Sequence, residues 1–427
     1  MLSAVSALAV AGCSSPRDNS AELNAIANDY LLLQLTIGEK EDGYIDAYYG
    51  PEDLQTQAIA EAQSLSLDDL SVRVSAMQDR LAPFADDGED GDTMDERRAR
   101  FLSAQMTAAD TRLRMLGGEN LPFVEEAKGL FGVDVELAEL DTFDPIIAEI
   151  DALVPGDGPL WQRLDEYRAG FIIPNDKLRP VMDAAIAECR ARTAEYIDLP
   201  ETESFSLELV NDKPWGGYNY YQGGFRSKIE VNTDLPTNLN RAVDLGCHEG
   251  YPGHHVLHSI HERENVNERG WAEFSIVPLF SPLAVISEGS ANYGIELAFS
   301  RAEQLAFETE VLAPIAGIPA DGLADYASLS KLTSRLSGAR YTIGARYLGQ
   351  EIDADEAAQL LQKYQLASPE RARQSLRFID TYRSYIINYG LGLDMVRASV
   401  EAAGPDQDAR WARMIEILSE PTLPSDL

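Results

Sequence analysis

The sequence predicts a mostly α-helical protein that carries one small β-sheet. Apolar residues recur at the three- and four-residue spacing of half-buried helices in four segments of the first half, 23–37, 67–81, 97–116 and 178–196. Two later segments, 205–210 and 225–231, alternate apolar and polar residues as short strands do. Helical periodicity then returns and continues to the end of the chain, so the sheet is a minor part of the fold.

The amino terminus predicts a lipid anchor. Residues 1–12 are small and apolar, and Val10-Ala11-Gly12-Cys13 resembles a bacterial lipobox, in which the cysteine is lipidated and becomes the first mature residue. We therefore predict that Cys13 is lipidated, that residues 1–19 are signal and tether, and that the protein is periplasmic or anchored to the outer membrane. We divide the rest into an N-terminal helical region, 20–200, and a second region, 201–427.

Composition excludes some classes of partner. The chain of 427 residues is 45% hydrophobic, which supports a large core. Its formal net charge of -36 repels nucleic acid phosphates, so we expect no nucleic acid partner. No run of 18 apolar residues is present, so we expect membrane attachment only through the lipid.

Two smaller features receive structural interpretations. Cys189 and Cys247 do not make a disulfide framework, and Cys247 is interpreted as a small buried packing residue. The acidic run 86–92 lacks the register of a calcium-binding loop and is interpreted as a solvated loop.

The strongest chemical signal is a cluster of histidines. Neutral imidazole is the most common metal ligand near pH 7, so clustering indicates a metal site. Glu249 directly follows the first histidine, which is where zinc hydrolases place a general base. The alternative is a polar helix face with incidental histidines. All 5 histidines of the chain lie in this segment: His248, His254, His255, His258 and His261.

The spacing of these histidines does not suit a regular helix. The position four residues after His248 is Pro252, which cannot bind a metal. On a regular helix His254 would lie roughly 120° from the face of His248, and His255 would share that face but lie about 10 Å along the axis. Pro252 and Gly253 favour a kink or bulge. We predict that this distortion brings His254 beside His248, and His255 stays open as the alternative ligand.

A third ligand is expected from a later helix. The segment 287–296 begins with Ser-Glu-Gly, and we assign Glu288 in it as the third metal ligand. Glu296 lies two helical turns further on and is predicted to orient a histidine. The alternative for Glu288 is an ordinary acidic residue in the first turn of a helix.

These motifs resemble those of a bacterial family, domain-of-unknown-function family 885, which is grouped with the zincin metallopeptidases. The family pattern is His-Glu-x-x-Pro-Gly-His-His followed by Ser-Glu-Gly-Trp, and here Ser290 replaces the Trp. The resemblance implies a large helical zincin-like metallopeptidase fold with the small sheet beside the zinc helix. It also implies that Zn²⁺ is held by His248, His254 and Glu288, and that Glu249 is the general base in region 201–427.

Further residues are expected to line the same cleft. Tyr389 begins a Tyr-x-x-Gly segment similar to a late family motif and is predicted to donate to the oxyanion, with Tyr341 as the second candidate. Asn232 ends a segment predicted to be an edge strand that pairs with an extended peptide. Tyr385 is predicted to contact substrate. Arg383 either binds a substrate carboxylate or forms a structural ion pair.

The sequence thus predicts a zinc-dependent metallopeptidase that acts on peptides through a metal-activated water. Two alternatives stay open, a zinc hydrolase of non-peptide amides or esters and a non-catalytic metal-binding lipoprotein. Glu249 argues against the second alternative, because a site that only binds metal does not need that carboxylate.

Overall fold

A computed structural model describes residues 19–84 and 93–427. Most of these residues are helical and the strands are few and short, so the predicted fold class is confirmed. The predicted lipidation site Cys13 and the predicted loop at 86–92 lie outside the described residues. None of the described helices has the length and apolar character needed to cross a membrane.

The helices run along the whole described chain, and the five short strands lie between them in sequence. The helices before the three-stranded sheet are α1 Asn19–Gly38, α2 Glu52–Ala62, α3 Leu67–Leu81, α4 Met94–Leu116, α5 Phe123–Phe131, α6 Asp144–Leu153, α7 Leu160–Arg168 and α8 Asn175–Thr193. Those after it are α9 Leu239–Glu249, α10 His254–Ile260, α11 Pro282–Ala298, α12 Arg301–Phe307, α13 Ala313–Ala316, α14 Leu323–Ser334, α15 Ala339–Leu348, α16 Ala354–Tyr364, α17 Pro369–Tyr382, α18 Ile387–Glu401 and α19 Gln407–Ser419. The strands are β1 Ile45–Tyr48, β2 Ser204–Val210, β3 Gly217–Tyr221, β4 Arg226–Asn232 and β5 Ile276–Pro278.

Local sequence explains why the predicted helices form. α3, for example, begins at a capping box in which the Ser66 hydroxyl accepts from the Asp69 N–H and the Asp69 carboxylate accepts from the Ser66 N–H. Its apolar face, including Leu70 and Val74, is buried in the core that α3 shares with α1 and α4. Burying each such side chain contributes about 2 kcal/mol, so the face that periodicity identified is the face that holds the helix in place.

A disulfide joins α8 to α9. Cys189 of α8 and Cys247 of α9 are bonded, with their Cα atoms 5.4 Å apart. Cys247 is buried as predicted, but the interpretation of it as only a packing residue was wrong. The two cysteines are separated by 58 residues, and the packing of α8 on α9 that brings them together leaves no local pattern.

The three-stranded sheet has the order β2-β4-β3, with β2 parallel and β3 antiparallel to β4. The two predicted strands correspond to β2 and β4. The prediction that the segment ending at Asn232 is an edge strand was wrong, because β4 lies in the centre of the sheet. The edge strands are β2 and β3, and β3 is a Gly- and Tyr-rich segment without the alternation that marks β2 and β4.

Two glycines set the approach of α11 to α18. A Cβ at Gly289 would lie 2.4 Å from the carbonyl oxygen of Gly392, so any larger side chain would push the helices apart. Glu288 directly precedes Gly289, and Tyr389 lies about one helical turn before Gly392. The contact between the glycines therefore places Glu288 and Tyr389 on neighbouring helices. The glycines in these two segments therefore have a packing role.

Elements from both predicted regions pack together. β1, from the first region, pairs antiparallel with β5 of the second, and α8 packs on α9. The division at residue 200 stays a prediction, made within one continuous fold.

Candidate metal centre

The helix that carries the first histidine ends immediately after it. α9 stops one residue after His248, and α10 begins at His254. The Gly253 N–H donates to the carbonyl oxygen of Cys247 at 3.0 Å. A Cβ at Gly253 would lie 1.8 Å from the carbonyl oxygen of His248, so this turn requires glycine. The distortion is a complete break between helices, and it brings the rings of His248 and His254 to a centroid distance of 4.6 Å.

The proline of this turn fixes it to α11. The Tyr251–Pro252 peptide bond is cis. A Cβ at Gly294 of α11 would lie 2.6 Å from Pro252 Cγ, so the close contact depends on that glycine. The turn between the two histidines is thereby held against the helix that supplies Glu288.

Three side chains converge at this point. His248 Nε2 lies 3.2 Å from Glu288 Oε2, and His254 Nε2 lies 4.0 Å from the same oxygen. Glu288 Oε2 is buried and has no partner in hydrogen-bond geometry within the described part of the chain. The structure thus brings together the three residues predicted to bind the metal.

The far nitrogen of each imidazole is held by a residue of α11. Asn292 Oδ1 lies 3.1 Å from His248 Nδ1, and Ser287 Oγ lies 3.0 Å from His254 Nδ1. With Nδ1 occupied in each ring, Nε2 is the atom presented to the cluster. Such partners fix ring orientation and tautomer in metal sites. Sequence reasoning missed both residues, although their i and i+5 positions flank Glu288 on the same helix.

The electrostatics of the cluster favour a cation between the imidazoles and the carboxylate. Burial alone would lower the pKa of His248, but Glu288 and Glu249 raise it to about 9. Burial alone would raise the pKa of Glu288, but His248 holds it below the usual value. Burial and the proximity of His248 lower the pKa of His254 to about 4, so one ring stays neutral and available as a ligand.

Glu249 lies beside the cluster. Its carboxylate and the ligand atoms of His248 and His254 lie within 4.8 Å of one another. Burial raises the pKa of Glu249 to about 7, with the charges of Glu288 and Asp46 adding to the effect and His248 opposing it. A carboxyl group with a pKa near neutrality can both accept and release a proton at that pH. Oε2 of Glu288 also approaches both imidazoles, so the cluster offers two carboxylates beside the two rings.

The tyrosines of the C-terminal part have different positions. Tyr385 donates its hydroxyl to Glu288 Oε1 at 2.8 Å, so it orients that carboxylate rather than only lining the cleft. The Tyr389 ring is 6.4 Å from the His248 ring and lines the cleft. Tyr341 lies outside it, because its hydroxyl accepts from the Leu391 N–H at 3.2 Å and supports the backbone of α18.

His255 and Glu296 are held away from the cluster by partners of their own. Both ring nitrogens of His255 are engaged, Nδ1 by Ser227 at 2.8 Å and Nε2 by Glu203 at 3.0 Å, so His255 is not placed as a ligand. The prediction for Glu296 also fails, because its carboxylate pairs with Arg397 at 2.7 Å instead of a histidine.

Asn232 and Arg383 support the fold. The Asn232 amide donates to the carbonyl oxygens of Lys213 and Trp215, each at 3.0 Å, and so shapes the loop before β3. Arg383 forms the structural ion pair, with Glu126 at 2.8 Å, and not a contact in the cleft. Neither residue is placed to contact substrate.

A second pair near the cluster was missed by sequence reasoning. The Tyr218 hydroxyl of β3 donates to Asp46 of β1. Burial raises the pKa of Asp46 to about 6, opposed by the Tyr218 hydrogen bond and supported by the charge of Glu288. Asp46 is about 200 residues before the histidines in sequence, so only the fold reveals that it belongs to the site.

The cluster opens into a cleft of about 1310 Å³. The start of β3 and Glu249 form part of its lining. They are in close contact, because a Cβ at Gly217 would lie 2.7 Å from Glu249 Oε1. Another part of the lining is formed by side chains of α15, α17 and α18, among them Arg340, Phe378 and Tyr389. The cleft therefore combines an edge strand, the histidine cluster and an aromatic lining.

Comparisons with known proteins establish similarity of fold alone. The sequence matches no family model and no curated protein, so membership of family 885 stays a prediction. A solved structure from Colwellia psychrerythraea, provisionally designated a lipoprotein, aligns with a TM-score of 0.50 at 13% identity over 93% of this chain and 74% of that chain. The M32 carboxypeptidase from Deinococcus radiodurans R1 aligns with a TM-score of 0.48 at 13% identity over 93% and 88%. Metallocarboxypeptidase 1 of Trypanosoma cruzi aligns with a TM-score of 0.39 at 11% identity over 96% of this chain and 93% of that chain.

Proposed function

We propose that this protein is a zinc-dependent metallopeptidase whose metal is held by His248, His254 and Glu288. The observation that carries the proposal is the buried Glu288 Oε2, which faces two imidazole Nε2 atoms and has no hydrogen bond of its own within the described residues. A buried carboxylate oxygen without a partner is costly unless a cation neutralises it. A divalent metal would satisfy that oxygen and both nitrogens together.

The donor set favours zinc and a catalytic role. Two imidazoles and one carboxylate leave a coordination position open, which is typical of catalytic rather than structural zinc sites. When bound, zinc would supply a Lewis acid that polarises a carbonyl group and acidifies water. A site that only stores metal has no use for a second buried carboxylate beside the ligands, and Glu249 is such a group.

The residues around the metal ligands divide the remaining work. Glu249 would take a proton from the attacking water and deliver it to the amine nitrogen as the C–N bond breaks. Tyr389, which lines the cleft from α18, would donate a hydrogen bond to the oxyanion. One edge of β3 pairs with β4, and no other described strand pairs with its second edge. That second edge would align an extended peptide beside Glu249.

The lipobox-like segment ending at Cys13 supports an anchored, extracytoplasmic protein. The Cys189–Cys247 disulfide suits such an oxidising compartment. The similarity in fold to the Colwellia protein designated a lipoprotein is in line with this location.

The test is metal content together with cleavage of a peptide library followed by mass spectrometry. We expect about one zinc per chain and cleavage of peptides that stops when zinc is chelated and returns when it is restored. Glu288→Gln should lose both zinc and activity while retaining its circular dichroism spectrum. Bound zinc without cleavage of any peptide would overturn the peptidase assignment and favour a hydrolase of other amides or esters, or a binding role.

A further inference from the structure

One cation on the wall of the cleft has no anionic partner. Arg340 lies in the first turn of α15, and its Nε atom is buried without a hydrogen bond within the described part of the chain. Burial lowers the pKa of Arg340, and the only groups that oppose this effect are the phenols of Tyr389 and Tyr341. No described carboxylate neutralises this guanidinium.

The other arginines that line the cleft have a partner or, like Arg301, lie exposed to solvent. Arg241 pairs with Asp244 at 3.1 Å, and Arg168 lies 3.8 Å from Asp165. Arg371 donates to the carbonyl oxygen of Pro236 at 3.2 Å. Arg340 differs from them because its Nε atom is buried and has no hydrogen-bond partner among the described residues.

That position is close to the metal ligands. The Arg340 Cζ atom lies 5.1 Å from the centroid of the Phe378 ring, and the Phe378 ring is 6.0 Å from the Tyr389 ring. The Tyr389 ring in turn is 6.4 Å from the His248 ring. Two adjacent aromatic rings therefore connect the guanidinium to the candidate metal centre.

We propose that Arg340 binds the terminal α-carboxylate of a peptide substrate, and that the protein consequently removes residues from peptide carboxyl termini. This inference rests on the proposed metallopeptidase function. The planar guanidinium matches a carboxylate through two parallel hydrogen bonds, and the exclusion of water strengthens the pairing. The substrate thus supplies the anion that the protein itself does not place beside Arg340.

The assignment gives the substrate a direction in the cleft. The chain on the amino-terminal side of the scissile bond would lie along β3, and the last residue would lie between Tyr389 and Arg340. Water oxygen bonds to the carbonyl carbon, the C–N bond breaks, and Glu249 transfers the water proton to the departing amine. The products are one free amino acid and a peptide shortened by one residue.

The first test uses the unmodified zinc-loaded protein and pairs of peptides that differ only in a free or an amidated carboxyl terminus. We expect release of single residues from the free peptides and a value of kcat/KM at least about 30-fold lower for the amides. Equal internal cleavage of both forms would overturn the role of Arg340 and leave the metallopeptidase function standing. Absence of cleavage from every peptide in the presence of bound zinc would overturn both.

Variants separate recognition from folding. Arg340→Ala should keep its zinc and its melting temperature, lose about 30-fold or more in kcat/KM on free peptides, and lose little on amides. Added guanidinium ion should restore part of the activity on free peptides, which a merely structural role would not produce. The matched control is Arg371→Gln, which removes a cleft arginine with a backbone partner and should leave the preference for free carboxyl termini unchanged. An unchanged preference in both Arg340→Ala and Arg340→Lys would contradict the inference.

Discussion

The histidines of this chain form two groups that share one short segment but have opposite surroundings. His248 and His254 have their Nδ1 atoms engaged by α11 and direct Nε2 toward Glu288. His255 has both nitrogens engaged by other side chains. His258 and His261 are buried against the rings of Tyr221 and Phe274, at 5.0 Å and 4.9 Å.

The difference shows what distinguishes a ligand from a packing histidine. All five side chains are close in sequence and largely buried, so neither clustering nor burial separates them. The separating feature is a ring whose orientation is fixed through one nitrogen while the other nitrogen faces a carboxylate that has no other partner. In this comparison, the group of His248 and His254 is expected to govern metal binding and activity, and the group of His255 is expected to govern stability.

The largest effect is expected at the general base. Glu249→Gln preserves the shape of the side chain but cannot accept a proton, so kcat should fall by about 10³-fold. Zinc stoichiometry should stay unchanged, because Glu288 and not Glu249 is the assigned carboxylate ligand. Activity assays and metal analysis on the same preparation check this, and loss of zinc in the variant would reverse the two roles.

A comparison of two tyrosines sharpens the definition of the site. Tyr389→Phe removes the hydroxyl facing the cleft and should lower kcat by about 100-fold. Tyr341→Phe should change kcat by less than about threefold, because that hydroxyl serves the backbone of α18. Steady-state kinetics with a single peptide is sufficient. A larger loss in the Tyr341 variant would mean that the oxyanion donor is misassigned.

The residues behind the ligands are expected to have an intermediate effect on metal affinity. Asn292→Ala and Ser287→Ala each release one imidazole from its fixed orientation, and zinc affinity should drop about 10- to 100-fold. Competition with a chromophoric chelator measures this. Arg397→Gln, which removes the partner of Glu296 further along α11, is the control and should bind zinc as the unmodified chain does.

How much of this could be read from sequence depended on whether the signal was local. Periodicity predicted the buried face of α3, and short motifs singled out His248, His254 and Glu288, which the structure brings together. Asp46 and the Cys189–Cys247 bond depend on contacts between distant segments, so no local pattern revealed them.

The helix break illustrates an intermediate case. The Pro-Gly pair predicted a distortion but left His254 and His255 as alternatives, and the position of Glu203 next to His255 supports His254 as the proposed ligand. Asn232 was misplaced for a related reason, since alternation identifies a strand but not its position in the sheet.

The smallest effect on activity, and the clearest on stability, is expected for the group of His255. Burial alone would raise the pKa of Glu203, but hydrogen bonds from His255, Tyr251 and Arg190 lower it to about 2. Because this value lies below the usual value of 4.5, the stabilisation is complete above pH 4.5 and is lost as the pH falls through about 2.

Glu203→Gln should therefore lower the free energy of unfolding by about 3 kcal/mol at pH 7. The difference from the unmodified protein should shrink as the pH falls below about 4.5, while zinc affinity at pH 7 stays the same. Urea denaturation at several pH values measures both quantities. A difference that grows in acid would contradict the assigned direction of the pKa shift.

Zinc stoichiometry in a pair of matched variants tests the central claim most directly. His254→Gln and His255→Gln change neighbouring residues in the same way, and each can be assayed for zinc by mass spectrometry after dialysis against a weak chelator. The account predicts that the His254 variant loses its zinc, while the His255 variant keeps about one zinc per chain and melts at a lower temperature. Retention of zinc in the His254 variant with loss in the His255 variant would contradict the division of the histidines on which the proposed function depends.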